Sequence, residues 1–218
     1  MADVLQQVEA RLRTALGEPD ARAAVTFLGT DRIEVLRFVA ENEARTEART
    51  GAGAGTGDEG SDGGVTVRYA TLGMSAQPMA DPADMLADQV RGPRAELVLS
   101  VRTGRADTDR VLRPLAVLAA SPQVEGVVVA PGGSLDTGEP LWPGAPFTSV
   151  LVGAGGGLVP DLELDDPMSP VAFLPLLPMT ANEAAWKRVH GAAALEERWL
   201  RHGTDLRDPL RAGVPLGD

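Results

Sequence analysis

The sequence predicts an α+β domain, and three features carry that reading. Leu5, Val8, Leu12 and Leu16 recur at helical spacing before Gly17, which predicts an amphipathic amino-terminal helix ending near Leu16. Short β-rich segments bounded by turn residues follow, at 33–39, 65–71 and 94–102. Near the other end, Thr180-Ala181-Asn182-Glu183 has the form of a capping box, so a helix should start directly after the apolar strand at 171–177. The 218 residues suit one domain with room for a substantial core. With 44 % apolar but only 4 % aromatic residues, that core must be built mainly from Leu, Val and Ala, which makes Trp142, Trp186 and Trp199 worth following individually.

After the first helix, residues 25–28 and 33–39 read as two strands joined by a tight turn at Gly29-Thr30-Asp31. The second alternates Ile33, Val35, Arg37 and Val39 against Glu34, Leu36 and Phe38, so neither set is purely polar and both faces should be covered. From Glu43 to Gly64 the chain turns charged and then Gly-rich without apolar periodicity, which predicts a disordered insertion at about 45–64. Gly55-Thr56-Gly57-Asp58-Glu59-Gly60 matches the dinucleotide pattern formally. Its context rejects it, because no strand precedes, no helix follows, and two carboxylates would face the pyrophosphate. Beyond the strand at 65–71 and the Gly73 turn, Asp81, Asp84 and Asp88 are spaced to share one solvated helix face. Pro114 suits the first position of a helix running to about Ala120, which Ser121-Pro122 should stop. Residues 124–130 and 147–152 read as further strands, and Leu158 breaks the dinucleotide pattern in the glycine run before it. Gly191 can close the capped helix, and a second helix should follow through Leu200. The polar, proline-punctuated residues 204–218 should form a poorly ordered tail, which leaves 1–203 as the domain.

A formal net charge of −11 and a pI near 4.7 argue against nucleic acid and anionic membranes as partners and favour a basic protein or peptide. Cysteine is absent, which removes disulfides, thiolate chemistry and cysteine metal sites together. The opening Met1-Ala2-Asp3-Val4-Leu5-Gln6 has no basic or apolar leader character, and no apolar run approaches the roughly 20 residues of a membrane span, so the expected location is the cytoplasm. The nucleophile elbow fails at Gln77, which leaves Ser75 as a turn residue. His190 and His202, the two histidines, lack metal-ligand spacing. On a strand, Asp161, Glu163 and Asp165 would form a polar row, without the Gly and Asn of a calcium loop. No catalytic, cofactor-binding or metal-ligating residue is therefore predicted. An enzyme or small-molecule binder with an unfamiliar site stands as the alternative, and an oligomeric protein using an exposed Trp142 as a third reading.

The run V-T-V-R-Y-A-T-L-G-M-S-A-Q-P-M from Val65 to Met79, followed by R-A-E-L-V-L from Arg94 to Leu99, resembles the Suppressor of fused family. Arg113-Pro114-Leu115, Leu118-Ala119, Pro146-Phe147-Thr148 through Leu151, and Val171-Ala172-Phe173-Leu174 leading to Pro178-Met179-Thr180 and Glu183 continue the resemblance in family order. It implies a central, mostly antiparallel β-sheet flanked by helices, and a non-catalytic protein-binding module whose partner is another protein with a basic surface or an extended peptide added as a strand. Bacterial relatives that stand alone, some encoded near polymorphic toxins, imply an immunity-like role in sequestering or neutralising a partner. The resemblance also marks Tyr69, with Met74, Asp81 and Asp84, as candidate partner-binding residues. For Tyr69 the competing reading is a ring packed beneath the turn with its hydroxyl on a backbone carbonyl.

Overall fold

The computed structural model describes residues 3–26, 31–40, 65–80 and 90–217. Helix α1, Val4–Leu16, begins at Asp3, whose side chain accepts from the Leu5 N–H at 3.2 Å, and stops at Gly17, where φ is +90°. Among the described residues seven strands then build one sheet: β1 Ala21–Val25, β2 Ile33–Val39, β3 Thr66–Leu72, β4 Arg94–Arg102, β5 Ser134–Asp136, β6 Phe147–Val152 and β7 Val171–Thr180. Their order is β1-β2-β3-β4-β7-β6-β5, antiparallel throughout except for the parallel β4–β7 pair. Helix α2, Leu112–Glu125, lies on one face, and α3, Ala181–His190, and α4, Ala192–Arg201, form a hairpin on the other. This is the α+β fold with a mostly antiparallel sheet flanked by helices that the sequence led us to expect.

Strand alternation sorts the core into two layers. Tyr69, Leu97, Leu99 and Val101 face α2, whereas Leu36, Phe38, Ala70 and Val98 face α1, whose Val8, Leu12 and Leu16 they bury. Strand β2 contributes Val35 to the first layer and Leu36 to the second, so it is covered on both sides as its sequence predicted. At the β6–β7 end, Leu151 and Met179 pack beneath Ala184, Leu195 and Trp199 of the α3–α4 hairpin.

Several expectations are corrected. The first strand occupies 21–25, ahead of the expected 25–28; residues 27–30, the Gly-rich tract and Asp81, Asp84 and Asp88 lie outside the described residues. Helix α2 starts two residues before Pro114 and runs through Pro122 to Gly126, where φ is +69°. Pro114 still falls in the first turn, where its missing N–H costs nothing. Pro122 has no N–H for the Leu118 carbonyl, and the Ser121 hydroxyl donates to that carbonyl at 2.7 Å instead. The expected strand at 124–130 is the end of this helix and an irregular run; Val129 is buried by packing, with no ladder. The acidic segment at 161–166 makes only one bridge, Leu162 to Val171.

The tail from residue 204, expected to be poorly ordered, packs on the body through residue 217. Two buried polar groups anchor it, the Arg211 guanidinium and the Pro209 carbonyl that accepts from the Trp142 indole at 3.0 Å, and Val214, Leu206 and Leu216 pack into the cluster around Leu195 and Trp199. Trp142 is accordingly buried, and the reading that used it as an exposed oligomer contact fails.

Candidate functional site

Three side-chain networks shape the surface where a partner could sit. The first fixes the turn after β3. Gly73 adopts φ +132°, and a Cβ there would lie 2.5 Å from the Arg32 carbonyl oxygen, so only glycine fits. Beneath the turn, the fully buried Glu96 accepts at Oε1 from the Gly73 N–H (2.9 Å), the Ser75 N–H (3.0 Å) and the Ser75 hydroxyl (2.6 Å). Its Oε2 accepts from the Thr71 hydroxyl at 2.6 Å. Burial pushes the Glu96 carboxyl up from the ordinary range, while the Ser75 and Thr71 hydroxyls and the two amides pull it back. Arg94 closes the far side, donating to the Ser75 and Ala76 carbonyls at 2.8 and 2.9 Å.

The second network carries Tyr69. Its ring lies in the α2-facing core, and its hydroxyl donates to Asp109 Oδ1 at 2.7 Å and pairs with the Thr108 hydroxyl at 3.0 Å. Arg37 stands 3.0 Å from the same Asp109 oxygen and also pairs with Asp20. The competing reading of Tyr69, a packed ring with a satisfied hydroxyl, is close to this arrangement, although the partners are side chains. Burial, helped by the Asp109 carboxylate and opposed by Thr108, pushes the phenol up to about 12. Tyr69 is the chain's single tyrosine, so phenolate absorbance reads it directly. Its absorbance is expected to stay flat past pH 10 and rise near pH 12 or on unfolding. Because the folded value is raised, its contribution to stability is complete below pH 10 and lost as pH climbs through about 12. A transition near pH 10 in the folded protein would contradict the burial of this hydroxyl beside Asp109.

The third network anchors the tail. Glu183 closes the capping box of α3, taking the Thr180 N–H at 2.8 Å, and also accepts Arg211 at 2.8 and 3.0 Å, the Trp199 indole at 2.9 Å and the Val214 N–H at 3.0 Å. Burial raises its carboxyl, but Arg211 and these amide and indole donors together hold it below the usual carboxylate value.

Between these supports lies an open cleft of 840 Å³, bounded by the first turns of α2 on one side and by β5 and its outgoing turn on the other. Leu112, Pro114, Val117, Leu141 and Trp142 give it an apolar floor; Arg113 of α2, with Asp109 and Arg110 from the 3-10 turn at 108–111 just before it, stands on one wall, and Asp136 and Glu139 on the strand wall. Arg110 pairs with Asp107 at 3.3 Å. Tyr69 reaches this surface only through Asp109. Met74 is buried in the core below the Gly73 turn and does not reach it, and Asp81 and Asp84 lie outside the described residues.

Strand β5 is the last in the sheet, and among the described residues nothing pairs with its outer edge. The Thr137 N–H bonds the Thr148 carbonyl at 2.9 Å on the inner side. Antiparallel pairing alternates, so the N–H and C=O groups of Ser134 and Asp136 point away from β6. The cleft therefore combines an apolar floor with a free sheet edge. It contains no nucleophile paired with a base, and among the described residues no group of three His, Cys, Asp or Glu could hold a metal. Nor, among those residues, is any helix long and apolar enough to cross a membrane. Sequence reasoning missed this cleft and the roles of Glu96, Asp109 and Arg211. The one sequence signal that bears on it is the Arg113-Pro114-Leu115 motif, which supplies part of one wall.

The Suppressor of fused protein family matches residues 29–212 of the chain. Solved structures with this fold include a Suppressor of fused homologue from Neisseria gonorrhoeae FA 1090, 17 % identical with a TM-score of 0.64 over 100 % of both chains. A Sufu–Fu complex structure is 11 % identical with a TM-score of 0.64, covering 96 % of this chain and 91 % of that one. Drosophila Suppressor of Fused is 12 % identical with a TM-score of 0.56; the match covers 97 % of this chain and 50 % of the Drosophila one. No curated protein matches the chain.

Proposed function

This chain belongs to the Suppressor of fused family, and from that premise we propose that it is a non-catalytic protein-binding module that takes an extended segment of a partner protein into the cleft between α2 and β5. The observation that carries the reading is the free β5 edge beside an apolar floor. Main-chain groups of Ser134 and Asp136 can pair with an added strand, while Leu112, Val117 and Leu141 accept its apolar side chains. A structure of the Sufu–Fu complex among the relatives of the same fold supports a protein partner. The charge of −11 favours a basic one, and sequestering or neutralising it, as an immunity protein does, fits a cleft whose lining pairs no nucleophile with a base. Tyr69 would serve this surface by holding Asp109 in place, and Met74 by supporting the Gly73 turn, each from inside the fold.

Val117 is 46 % exposed on the cleft floor, so Val117→Asp removes apolar contact without opening the core. Affinity capture from the native lysate is expected to retain a stoichiometric partner protein on the wild type, less of it as salt rises, and about tenfold less on Val117→Asp. Equal capture by both proteins would place the interface elsewhere. No capture by either would remove the binding reading.

A further inference from the structure

The edge of β5 carries an ordered pair of opposite charges. Asp136 and Ser134 project from the same face of the strand, two residues apart, with Leu135 between them on the α2 side. The Lys187 ammonium, from α3, donates to the Ser134 hydroxyl at 2.8 Å, so a positive charge stands at one end of this short edge and the Asp136 carboxylate at the other. Lys187 is the only lysine of the chain. Asp136 spends one oxygen on the Gly138 N–H at 2.8 Å, has no ionic partner among the described residues, and is followed by Glu139 on the same cleft wall.

We infer that the cleft selects its occupant by the order of charge: an extended partner segment reading basic, apolar, acidic, laid antiparallel to β5. This rests on the binding reading above. In an antiparallel strand added at the edge, the residue opposite Asp136 comes first, the residue opposite Leu135 second, and the residue opposite Ser134 third. The first and third side chains lie on the Asp136 and Lys187 face, where a basic residue meets the carboxylate and an acidic one meets the ammonium. The second points to the α2 side, over the apolar floor. A segment with the two charges exchanged would oppose like to like at both positions, which is unfavourable across a strand pair. Antiparallel addition therefore prefers one order and parallel addition the reverse, so the preferred order reports the direction of the bound chain.

The test uses two fluorescein-labelled nine-residue peptides of identical composition, one centred on Lys-Val-Glu and the other on Glu-Val-Lys, titrated by fluorescence anisotropy. The proteins are the full chain, its Asp136→Lys/Lys187→Glu double variant and Val117→Asp. Both charge positions are on the surface, so the double variant should fold, which circular dichroism verifies. The wild type is expected to bind the Lys-Val-Glu peptide about tenfold more tightly, and the double variant to reverse the preference. Val117→Asp should weaken both peptides alike. Equal affinities that persist in the double variant, with binding still lost in Val117→Asp, would overturn the charge-order inference and leave the cleft as the site. Binding that Val117→Asp does not change, or no binding of either peptide at millimolar concentration, would overturn both. A wild-type preference for Glu-Val-Lys that the double variant reverses would overturn the antiparallel direction.

Discussion

Glu96→Ala is expected to destabilise the protein by about 4 kcal/mol or more, whereas Glu96→Gln should cost about 1 to 2 kcal/mol. Alanine leaves the Gly73 and Ser75 amides and the Ser75 and Thr71 hydroxyls in a buried site with no acceptor, and each unpaired donor is costly. Glutamine keeps one carbonyl oxygen where three of those donors converge. Its amide can then donate to the Thr71 hydroxyl oxygen, which already accepts the Leu97 N–H at 2.8 Å. Urea denaturation of the two variants checks this, and equal losses would mean that the site recognises charge rather than acceptor geometry. Because burial raises the Glu96 carboxyl above its ordinary value, acidification does not destabilise the protein through this group.

The Glu183–Arg211 pair has the opposite pH dependence and a similar magnitude. Arg211→Met should cost about 3 to 5 kcal/mol, because it strands a carboxylate that has no exposed surface. The Glu183→Gln/Arg211→Met double variant should regain part of that loss, since no buried charge is then left alone, although the Thr180, Trp199 and Val214 donors still need the introduced amide oxygen as acceptor. Glu183 is held below 4.5, so its contribution is present above that pH and is lost as pH falls through the folded-state value. The stability difference between wild type and Glu183→Gln, followed by urea midpoints from pH 7 downward, should therefore be constant near neutrality and shrink below about pH 4.5. A difference that grows on acidification would show that Arg211 does not hold the charged form. Protease sensitivity of the tail should increase in Arg211→Met as well, because Arg211 ties it to the Pro178 carbonyl at 2.6 Å.

How far each feature was legible follows from the range of the interactions behind it. The capping box at Thr180 and Glu183 is a contact three residues long, and both of its hydrogen bonds form. The ends of α2 escape local rules, which treat prolines as boundaries, because the Ser121 hydroxyl takes over the carbonyl that Pro122 leaves unpaired. A motif points to Tyr69, but the motif does not say that the hydroxyl meets Asp109 forty positions away. The tail escapes for a similar reason: its polar composition predicts solvent, yet Arg211 finds Glu183 at a separation of 28 residues.

From its sequence alone this protein determined its α+β class, most of its strand and helix positions, its lack of cysteine chemistry and its strongly negative charge, because these depend on periodicity, turn residues and composition. Tertiary structure alone decided that Tyr69 and Met74 face inward, that Trp142 is buried under the tail, and that β5 ends the sheet beside an apolar cleft. Those outcomes depend on strand order and on buried polar partners far apart in the chain, and a linear pattern does not encode which distant donor meets which acceptor.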